Sequence, residues 1–471
     1  MSTAIVWFRR DLRLADHPAL HRACTDSDDV VPLYIHAPEE DGDWQPGAAS
    51  RWWLHHSLRA LDNDLQLRQS ALHIRKGHSL QVLLDVIEKT GANTVYWNRL
   101  YDPAAIARDA RIKSALREKG VAVHSFESAL WQEPSQLLTQ DAQPYRVFTP
   151  YWRKLRTLVG VSEPLRAPST LPTAFLQDTL PVDALNLLPP IAWDQGLCET
   201  WQPGERGADA ALELFADDAL GAYITGRDLP ARHGTSRLSP HLHFGEITPR
   251  HIHYGLMRHL QNVDAKRRPD IEPYLRELGW REFAHYLLYH FPTTCKENFN
   301  SRFDSFVWEK ADDAVLHRWQ MGRTGIPLVD AGMRELWHTG WMHNRVRMVV
   351  ASFLTKNLRL HWLHGARWFW DTLVDADLAN NTLGWQWVAG CGADAAPYFR
   401  VFNPITQAQK FDASGVYLRR WLPELAKAPD ASLHEPWKDA QLLKRSGYPS
   451  PMTDLGKSRQ AALAAYQASR G

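Results

Sequence analysis

The sequence predicts an α/β domain built on a parallel sheet, followed by an all-α domain. Three observations predict this order. In the first 130 residues, short runs rich in Val, Ile, Tyr and Trp alternate with helical segments. Seven prolines then interrupt residues 160–205. From about residue 206 onward, apolar residues recur with the spacing of helices, about 3.6 residues.

Five segments of the first domain have the composition of strands. They are Ala4–Phe8, Val30–His36, Ala71–Arg75, Thr94–Asn98 and Val121–Phe126. The helices predicted between them are Ala48–Arg68, Ser79–Lys89 and Pro103–Lys119, with Ser79 as a cap and Pro103 in a first turn. Strands that alternate with helices form a parallel, Rossmann-like sheet covered on both faces. No GxGxxG follows the first strand, so a dinucleotide fingerprint is missing.

We predict domains at residues 1–130 and 206–471, joined by a linker at 131–205. The proline-rich part of this linker either lies ordered on the protein or is mobile. The helices predicted from residue 206 are Ala208–Thr225, Pro249–Leu260, Pro273–His290, Pro327–Trp337, Met342–Leu358 and Ala366–Leu373. Within one of them, a buried stripe is expected from Val346, Val349, Val350, Phe353 and Leu354.

Composition excludes several classes of protein. The chain has 54 Lys and Arg against 53 Asp and Glu, so its net charge of +1 excludes a globally basic nucleic-acid coat. Four cysteines lie far apart without CxxC spacing, so neither a zinc site nor a disulfide framework is expected. There is no secretory signal pattern and no apolar run of about 18 residues, which predicts a soluble, cytoplasmic protein. The 21 tryptophans are an excess that invites a search for stacking or electron-transfer roles.

A compact set of hydrogen-bond donors follows Gly234. Thr235, Ser236 and Ser239 supply hydroxyl groups, Arg237 supplies a guanidinium, and a helix start is predicted beside them. Hydroxyls and free backbone N–H groups at a helix N-terminus suit a pyrophosphate. The alternative is that Thr and Ser only cap the helix.

Two acidic and two amide side chains form a second polar segment. Asp375 and Asp377 precede Asn380 and Asn381, and apolar residues flank them. Buried carboxylates need partners, for which Arg345 and Arg347 are the candidates. The alternative is a solvated turn.

A third segment combines charges with an aromatic ring. Glu277 and Arg281 are i, i+4 partners on a predicted helix, and Trp280 lies between them in the sequence. Trp280 can therefore line the opening of one pocket together with both charged side chains. The alternative is an amphipathic helix with one surface ion pair.

These segments, taken together, resemble the DNA photolyase/cryptochrome family. The motifs that carry the resemblance are Trp7–Arg13, Thr235–Ser239, Trp280–Phe283, Gly340–Arg345, Asp375–Ala379 and Trp385–Trp387. They occur in the family's order, and the resemblance runs from the N-terminus to about Trp437. It is strongest to the bacterial class I photolyases that act on cyclobutane pyrimidine dimers.

The resemblance implies an α/β antenna domain and a helical domain that binds FAD noncovalently. The residues implied to hold FAD are Tyr223, Thr235, Ser236, Arg237, Leu238, Ser239, Asn344, Arg347, Asp375, Ala376, Asp377 and Asn381. Arg347 is expected to pair with Asp375, and Asn381 to face N5 of the flavin. Asn at that position is typical of photolyases, whereas many cryptochromes have Asp or Cys there.

The resemblance also implies that the partner is UV-damaged DNA, double- or single-stranded, bound by a monomer. The residues implied to contact it are Arg227, Glu277, Trp280, Arg281, Asn344, Arg345, Met348, Trp387 and Gln407. Trp280 and Trp387 would stack on a dimer turned out of the helix, and Glu277 and Asn344 would bond the base edges. The backbone contacts would position the DNA, so binding should weaken with salt.

The implied reaction is light-driven and redox-neutral. Excited FADH⁻ gives one electron to the dimer, the C5–C5′ and C6–C6′ bonds open, and the electron returns. Glu277 would stabilise the dimer anion if it is protonated. Trp385, Trp362 and Trp308 match the family's electron-hopping chain, which reduces oxidised flavin and takes no part in repair.

The resemblance leaves two questions open, the identity of the antenna chromophore and the function itself. The antenna chromophore is methenyltetrahydrofolate, an 8-hydroxy-deazaflavin or none: Ala104 and Ala105 replace the Asn-Glu pair of folate-binding relatives, whereas Cys295-Lys296 matches a pair near folate. A cryptochrome photoreceptor is the second reading of function. A (6-4) photolyase is the third, although those enzymes typically have paired histidines where this chain has His343-Asn344.

Overall fold

The computed structural model describes residues 2–264, 268–395 and 399–469. The chain divides into two compact units. The first unit comprises Met1–Trp193, Trp201–Gly221 and Ser236–Pro292, and the second comprises Asp194–Thr200, Ala222–Thr235 and Thr293–Gly471. This division follows compactness. The functional division at residues 130 and 205 stays a prediction.

The first unit contains a five-stranded parallel sheet in the order β3-β2-β1-β4-β5. The strands are β1 (Thr3–Phe8), β2 (Asp29–His36), β3 (His73–Lys76), β4 (Thr94–Asn98) and β5 (Ala122–Phe126). Each lies within two residues of its predicted start and one of its predicted end. The predicted α/β class and parallel sheet are therefore confirmed. The inner residues of β1, β2 and β4 are buried on both faces of the sheet, as in a parallel sheet covered by helices.

Helices account for most of the remaining chain. The first eleven are α1 (Pro18–Asp26), α2 (Ala48–Gln66), α3 (Ser79–Thr90), α4 (Pro103–Glu118), α5 (Phe148–Arg156), α6 (Gln195–Thr200), α7 (Glu205–Leu214), α8 (Tyr223–Gly226), α9 (Ser239–His243), α10 (Pro249–Gln261) and α11 (Glu272–His290). The next ten are α12 (Asp313–Gln320), α13 (Pro327–Thr339), α14 (Asn344–Ser352), α15 (Trp362–Thr372), α16 (Leu378–Ala389), α17 (Pro404–Phe411), α18 (Val416–Trp421), α19 (Asp430–Leu433), α20 (Ala440–Ser446) and α21 (Leu455–Ala468). In the described ranges, none of them combines the length and hydropathy needed to cross a bilayer.

The proline-rich segment is ordered by contacts with the sheet. Val30 N donates to Pro172 O at 2.7 Å, and Leu180 N donates to Ile74 O at 3.0 Å. Thr173 also forms an isolated parallel bridge with Val30. Of the two predicted alternatives, the structure therefore has the segment lying on the protein beside β2 and β3.

Three helix predictions need correction. Ser79 is the first residue of α3 and not its cap, because its N–H and hydroxyl both donate to the carboxylate of Glu40. The predicted helix 208–225 is broken, with a wider π-helical turn at Phe215–Ala219. The predicted helix 342–358 begins at Asn344, where His343 accepts a bond from Arg345 N, and it passes into a π-helical turn at Phe353–Asn357.

The second unit is built around one apolar core. The five residues of the predicted stripe, from Val346 to Leu354, are all fully buried in it. Trp319, Trp362 and Trp385 lie in the same core. Tryptophan supplies a large apolar area to each contact, so much of the tryptophan excess is packing. The all-α second part predicted from the sequence is confirmed.

Glu282 is a buried acid within the first unit. Its carboxylate accepts a hydrogen bond from Trp131 N at 2.8 Å and lies 3.5 Å from the guanidinium of Arg281. Burial outweighs these contacts and raises the pKa of Glu282 from 4.5 to about 7. The folded protein therefore keeps this proton at pH values where the unfolded chain has lost it.

Glu282→Gln should reduce the loss of stability at alkaline pH. Because its pKa is raised in the folded state, the contribution of Glu282 to the free energy of unfolding is fully present below about pH 4.5. It is lost as the pH rises to about 7. The shift corresponds to about 3 kcal/mol. The difference in Tm between the variant and the wild type should therefore favour the variant more at pH 8 than at pH 5, and an equal difference at both would contradict the assignment.

Candidate functional site

Helix α16 of the second unit carries two of the predicted site residues on one face, and a third caps it. Asn381 and Trp385 are four residues apart, so their side chains share the face that meets α15. Asp377 caps the helix by accepting from Asn380 N at 2.9 Å. This bond fixes where the helix starts and therefore the direction of the stripe.

The predicted pair of Arg347 with Asp375 is present. Nη2 of Arg347 lies 2.8 and 3.1 Å from the two carboxylate oxygens, and its Nε donates to Met342 O at 2.6 Å. The Asp375 side chain is only 4% exposed. The alternative of a solvated turn is therefore wrong, and Arg345 takes a different partner.

Asn381 has a fixed amide orientation. Its Nδ2 donates to the carbonyl oxygen of Ala366 on α15 at 2.9 Å. The amide oxygen is then left as an acceptor. An acceptor without charge matches the N5–H donor of a reduced flavin, so the chemistry of this side chain fits the predicted cofactor. Ala376, beside Asp375, is buried at 1% exposure and adds only apolar contact.

Other predicted flavin residues of the second unit lie at the close approach of two glycines. A side chain on Gly234 would collide with the carbonyl of Gly226, so the segments ending in Gly226 and Thr235 touch through their backbones. Tyr223 is buried, and the guanidinium of Arg227 lies 5.3 Å from the centre of its ring.

In the first unit, the residues from Ser236 to Ser239 do not form a cap. Helix α9 starts at Ser239, and its capping residue Leu238 makes no side-chain bond. Ser236 instead accepts from the Tyr274 hydroxyl at 3.0 Å. Arg237 has a φ of +54°, a left-handed conformation that costs free energy in a residue with a side chain. The cap position itself holds Leu238, although Ser236 also accepts from Leu238 N at 3.4 Å, and the role of these hydroxyl groups as ligands stays a prediction.

The three predicted electron-transfer tryptophans run from the core of the second unit to partial exposure. Trp385 and Trp362 are 2% and 0% exposed, and Trp308 is half-buried. Trp385 packs on Gly365 of α15, the helix that Trp362 begins. The ring of His361 then lies 5.5 Å from Trp362 and 5.1 Å from Trp308. His361 therefore connects the rings of Trp362 and Trp308, and Trp385 meets the helix of Trp362 at Gly365.

Arg345 and Gln407, two predicted DNA contacts, lie near each other in the second unit. Arg345 donates to Asp228 at 2.8 Å, and its guanidinium lies 4.5 Å from the Phe411 ring, one turn along α17 from Gln407. Burial lowers the pKa of the neighbouring His343 to about 4. His343 is therefore neutral at pH 7, and the positive charge here belongs to the arginines.

Helix α14 presents the predicted dimer contacts of the second unit. Asn344 is exposed and Met348 follows it by one turn, so both share a face. Helix α16 packs against α14 and carries Trp387, whose indole N–H donates to Asp394 O at 3.1 Å. Both Met348 and Trp387 rest on the core and are partly exposed.

Helix α11 presents the predicted dimer contacts of the first unit, Glu277 and Trp280. Phe148 stacks on one face of Trp280, with ring centres 3.6 Å apart and planes within 10°. This contact holds the indole plane in place. Arg281 is differently placed: it donates to the carbonyls of Ala129 and Leu242, its carboxylate neighbour is Glu282 and not Glu277, and it is 12% exposed. Its predicted role in DNA binding stays a prediction that these inward contacts disfavour.

Sequence reasoning missed three residues that position this machinery. Phe148 supports Trp280, Asn298 accepts the Trp362 indole N–H at 3.0 Å, and Gln386 bonds the backbone of residues 294–299. Only Gln386 has a signal in the sequence, as a polar residue between Trp385 and Trp387. The other two depend on tertiary contacts between distant segments.

The carboxyl edge of the sheet is a second candidate site. The strand order changes direction between β1 and β4, which is where open parallel sheets bind ligands. The guanidinium of Arg9 lies 4.4 Å from the Trp7 ring and 5.7 Å from Trp97, and Arg108 lies 5.1 Å from Trp7. Asp109 lies 3.0 Å from both guanidinium groups and compensates their charge, so this edge offers aromatic rings and paired arginines.

Comparisons with known proteins decide the family. The family described as DNA photolyase matches residues 4–169, and the FAD binding domain of DNA photolyase matches residues 274–468. A deoxyribodipyrimidine photo-lyase of Agrobacterium fabrum is 46% identical over 98% of this chain and 97% of its own. The chain belongs to the DNA photolyase family.

Both photolyases and cryptochromes are similar to this chain over most of its length. A bacterial class III photolyase structure from Agrobacterium tumefaciens has a TM-score of 0.94 and 44% identity, and it covers 100% of this chain and 98% of its own. Cryptochrome-2 of Arabidopsis thaliana is 39% identical over 97% of this chain and 77% of its own. The predicted family and FAD-binding domain are confirmed, and photo-lyases among the relatives agree with the predicted enzyme class.

Two glycine substitutions near the photolyase tryptophans should have opposite effects. A Cβ on Gly365 would collide with the Trp385 indole, whereas a Cβ on Gly384, in the neighbouring helix, meets open space. Gly365→Ala should destabilise the protein by about 1–3 kcal/mol through overpacking. Gly384→Ala should stabilise it by about 0.5–1 kcal/mol through helix propensity.

The change in Tm of each purified variant measures this difference. A lower Tm for Gly365→Ala and an unchanged or higher Tm for Gly384→Ala are expected. Equal Tm values for the two variants would mean that Trp385 is not packed on α15 as described.

Proposed function

We propose that this protein repairs cyclobutane pyrimidine dimers in UV-damaged DNA, driven by light and using reduced FAD. The observation that carries the proposal is the stripe of Asn381 and Trp385 on α16, followed by Trp362 and Trp308. It supports a flavin contact without added charge at one end and aromatic rings leading toward the surface at the other. Relatives named deoxyribodipyrimidine photo-lyase support the same reaction.

Reduced FAD, when bound, supplies an excited-state electron donor, and a dimer that takes up one electron opens its two cross-linking carbon–carbon bonds. The chain's own residues position and insulate. The Arg347–Asp375 pair would hold one side of the flavin without net charge. The Asn381 oxygen would accept the N5–H bond, since Ala366 O fixes its amide nitrogen. The apolar core behind Trp385 excludes water, which strengthens each polar contact.

The damaged DNA would be held by two kinds of contact. Trp280, supported by Phe148, offers a rigid aromatic face for stacking on the dimer, and Glu277 lies one turn away on α11. In the second unit, Asn344 offers an exposed amide and Trp387 a second aromatic ring. Arg227 and Arg345 would bind phosphates, so affinity should fall as salt rises.

A cryptochrome function is the second candidate, favoured by the similarity to a plant cryptochrome. Asn381 argues against it, because an uncharged amide at N5 is the residue that photolyases have. The class within the photolyases stays a prediction. The resemblance of the motifs favours class I, and the relative described as class III favours the other. His343-Asn344 argues against a (6-4) photolyase.

Three further features stay predictions. An antenna chromophore, methenyltetrahydrofolate or an 8-hydroxy-deazaflavin, would suit the carboxyl edge of the sheet, where the strand order changes direction and the Trp7 and Trp97 rings lie. A structure of an archaeal photolyase from Sulfolobus tokodaii is described with two FAD molecules, which is said to imply a novel light-harvesting cofactor. The monomeric state and the cytoplasmic location are the other two.

The proposal is tested by illuminating reduced, flavin-loaded protein with UV-treated oligo(dT) under blue light. Recovery of thymine absorbance is expected, with no recovery in the dark. If the flavin is bound and reduced but absorbance does not recover, repair is wrong and the photoreceptor candidate is favoured.

Trp385→Phe should separate photoreduction from repair. Phe is harder to oxidise than Trp, so light-driven reduction of oxidised flavin should be lost. Repair should persist once the flavin is reduced chemically. Trp421→Phe is the matched control, since Trp421 also packs on the second core but near His338. Normal photoreduction in Trp385→Phe would refute the proposed electron-transfer role of the tryptophans.

A further inference from the structure

We infer that Asn298 and Asp304 form a positioning relay that keeps the indole proton on Trp362 while this residue is oxidised. The inference rests on the proposed electron-transfer chain and extends it from the tryptophans to the groups that control them. The relay would make the hole on Trp362 a mobile protonated cation that passes on to Trp308.

The contacts lie in the second unit and run from the core to the surface. Trp362 is fully buried, and its Nε1–H donates to Asn298 Oδ1 at 3.0 Å. Asn298 Nδ2 donates in turn to Asp304 Oδ1 at 2.7 Å, and Asp304 is exposed. An exposed carboxylate is thus joined to a buried indole through one amide.

The physical effect follows from charge. Oxidation puts a positive charge on an indole surrounded by apolar side chains, where an uncompensated charge is costly. It also makes the indole N–H strongly acidic, so a bond to the amide oxygen strengthens as the charge develops. The negative charge of Asp304 polarises the amide and raises the electron density on its oxygen.

The choice of an amide decides what happens to the proton. An amide oxygen is a very weak base, so it accepts a hydrogen bond without taking the proton. Trp362 gives one electron to oxidised Trp385 and receives one from Trp308, and its proton stays on Nε1 throughout. A carboxylate in contact with the indole would remove the proton and trap a neutral radical at Trp362.

The relay is held in place by the residue between two functional tryptophans. Gln386 is 1% exposed, and its oxygen accepts from Phe299 N at 2.8 Å. Its nitrogen donates to the carbonyls of Thr294 and Glu297, each at 2.7 Å. These bonds clamp the backbone on both sides of Asn298, so α16 positions the relay as well as Trp385.

The hydrogen bond itself is tested by NMR on the full-length protein labelled with 15N-tryptophan. The Trp362 indole resonance, assigned by its loss in Trp362→Phe, should shift upfield in Asn298→Leu and by less in Asp304→Asn. Glu297→Gln is the matched control, since Glu297 is the exposed neighbour of Asn298 and is bonded through its backbone. An unshifted Trp362 resonance in Asn298→Leu would overturn the relay.

The effect on the hole is tested by transient absorption of the flavin-loaded protein without DNA. Loss of one hydrogen bond to a charged group should lower the equilibrium constant for hole transfer from Trp385 to Trp362 about tenfold. Asn298→Leu should therefore lower the yield of oxidised Trp308 by up to about tenfold. Repair by the chemically reduced variant should equal that of the Glu297→Gln control.

A charge-swapped variant distinguishes the relay from a purely structural contact. Asn298→Asp with Asp304→Asn can keep both hydrogen bonds but places the carboxylate against the indole. A deprotonated Trp362 radical should then appear, identified by its own visible absorption band. A protonated radical and wild-type yield in this variant would overturn the inference. Absence of any tryptophan oxidation in the wild type would instead overturn the proposed chain.

Discussion

The cap of helix α16 is the interaction on which the candidate site depends. Asp377 accepts a hydrogen bond from Asn380 N and thereby fixes the start of a helix whose different faces carry different functional residues. One stripe carries Asn381 and Trp385. The adjacent Gln386 clamps residues 294–299, and Trp387 lies at the edge of the core. A change in the helical phase would move the flavin contact, the electron-transfer chain and its relay together.

The core of the second unit keeps charge away from its tryptophans. The buried Asp375 has Arg347 as its partner, and burial makes His343 neutral at pH 7. Lys356 is 1% exposed, donates to Ala389 O at 2.6 Å and has its pKa lowered well below the usual range by burial. A dry core whose polar groups are paired or hydrogen-bonded suits electron transfer, because few of them need to reorient when an indole gains or loses charge.

Features governed by local sequence were predictable, and features governed by distant contacts were not. The strands and the valine stripe of α14 follow from composition and periodicity. The need to compensate a buried carboxylate left Arg345 and Arg347 as candidates, and the family resemblance selected Arg347 as the partner of Asp375. The hydrogen bond from Trp362 to Asn298 joins residues 64 positions apart, and no local sequence pattern predicts it. The π-helical turn at Phe353–Asn357 likewise leaves the apolar spacing unchanged, so the sequence predicts a longer regular helix.

The most direct test of the central claim is the flavin content of the purified protein, measured by its visible absorption and by the FAD released on denaturation. The stripe on α16 predicts about one noncovalent FAD per chain, or uptake of added FAD to that level. Colourless protein that takes up no FAD would contradict the account, because every role assigned to Asn381, Trp385 and Asn298 requires a flavin beside α16.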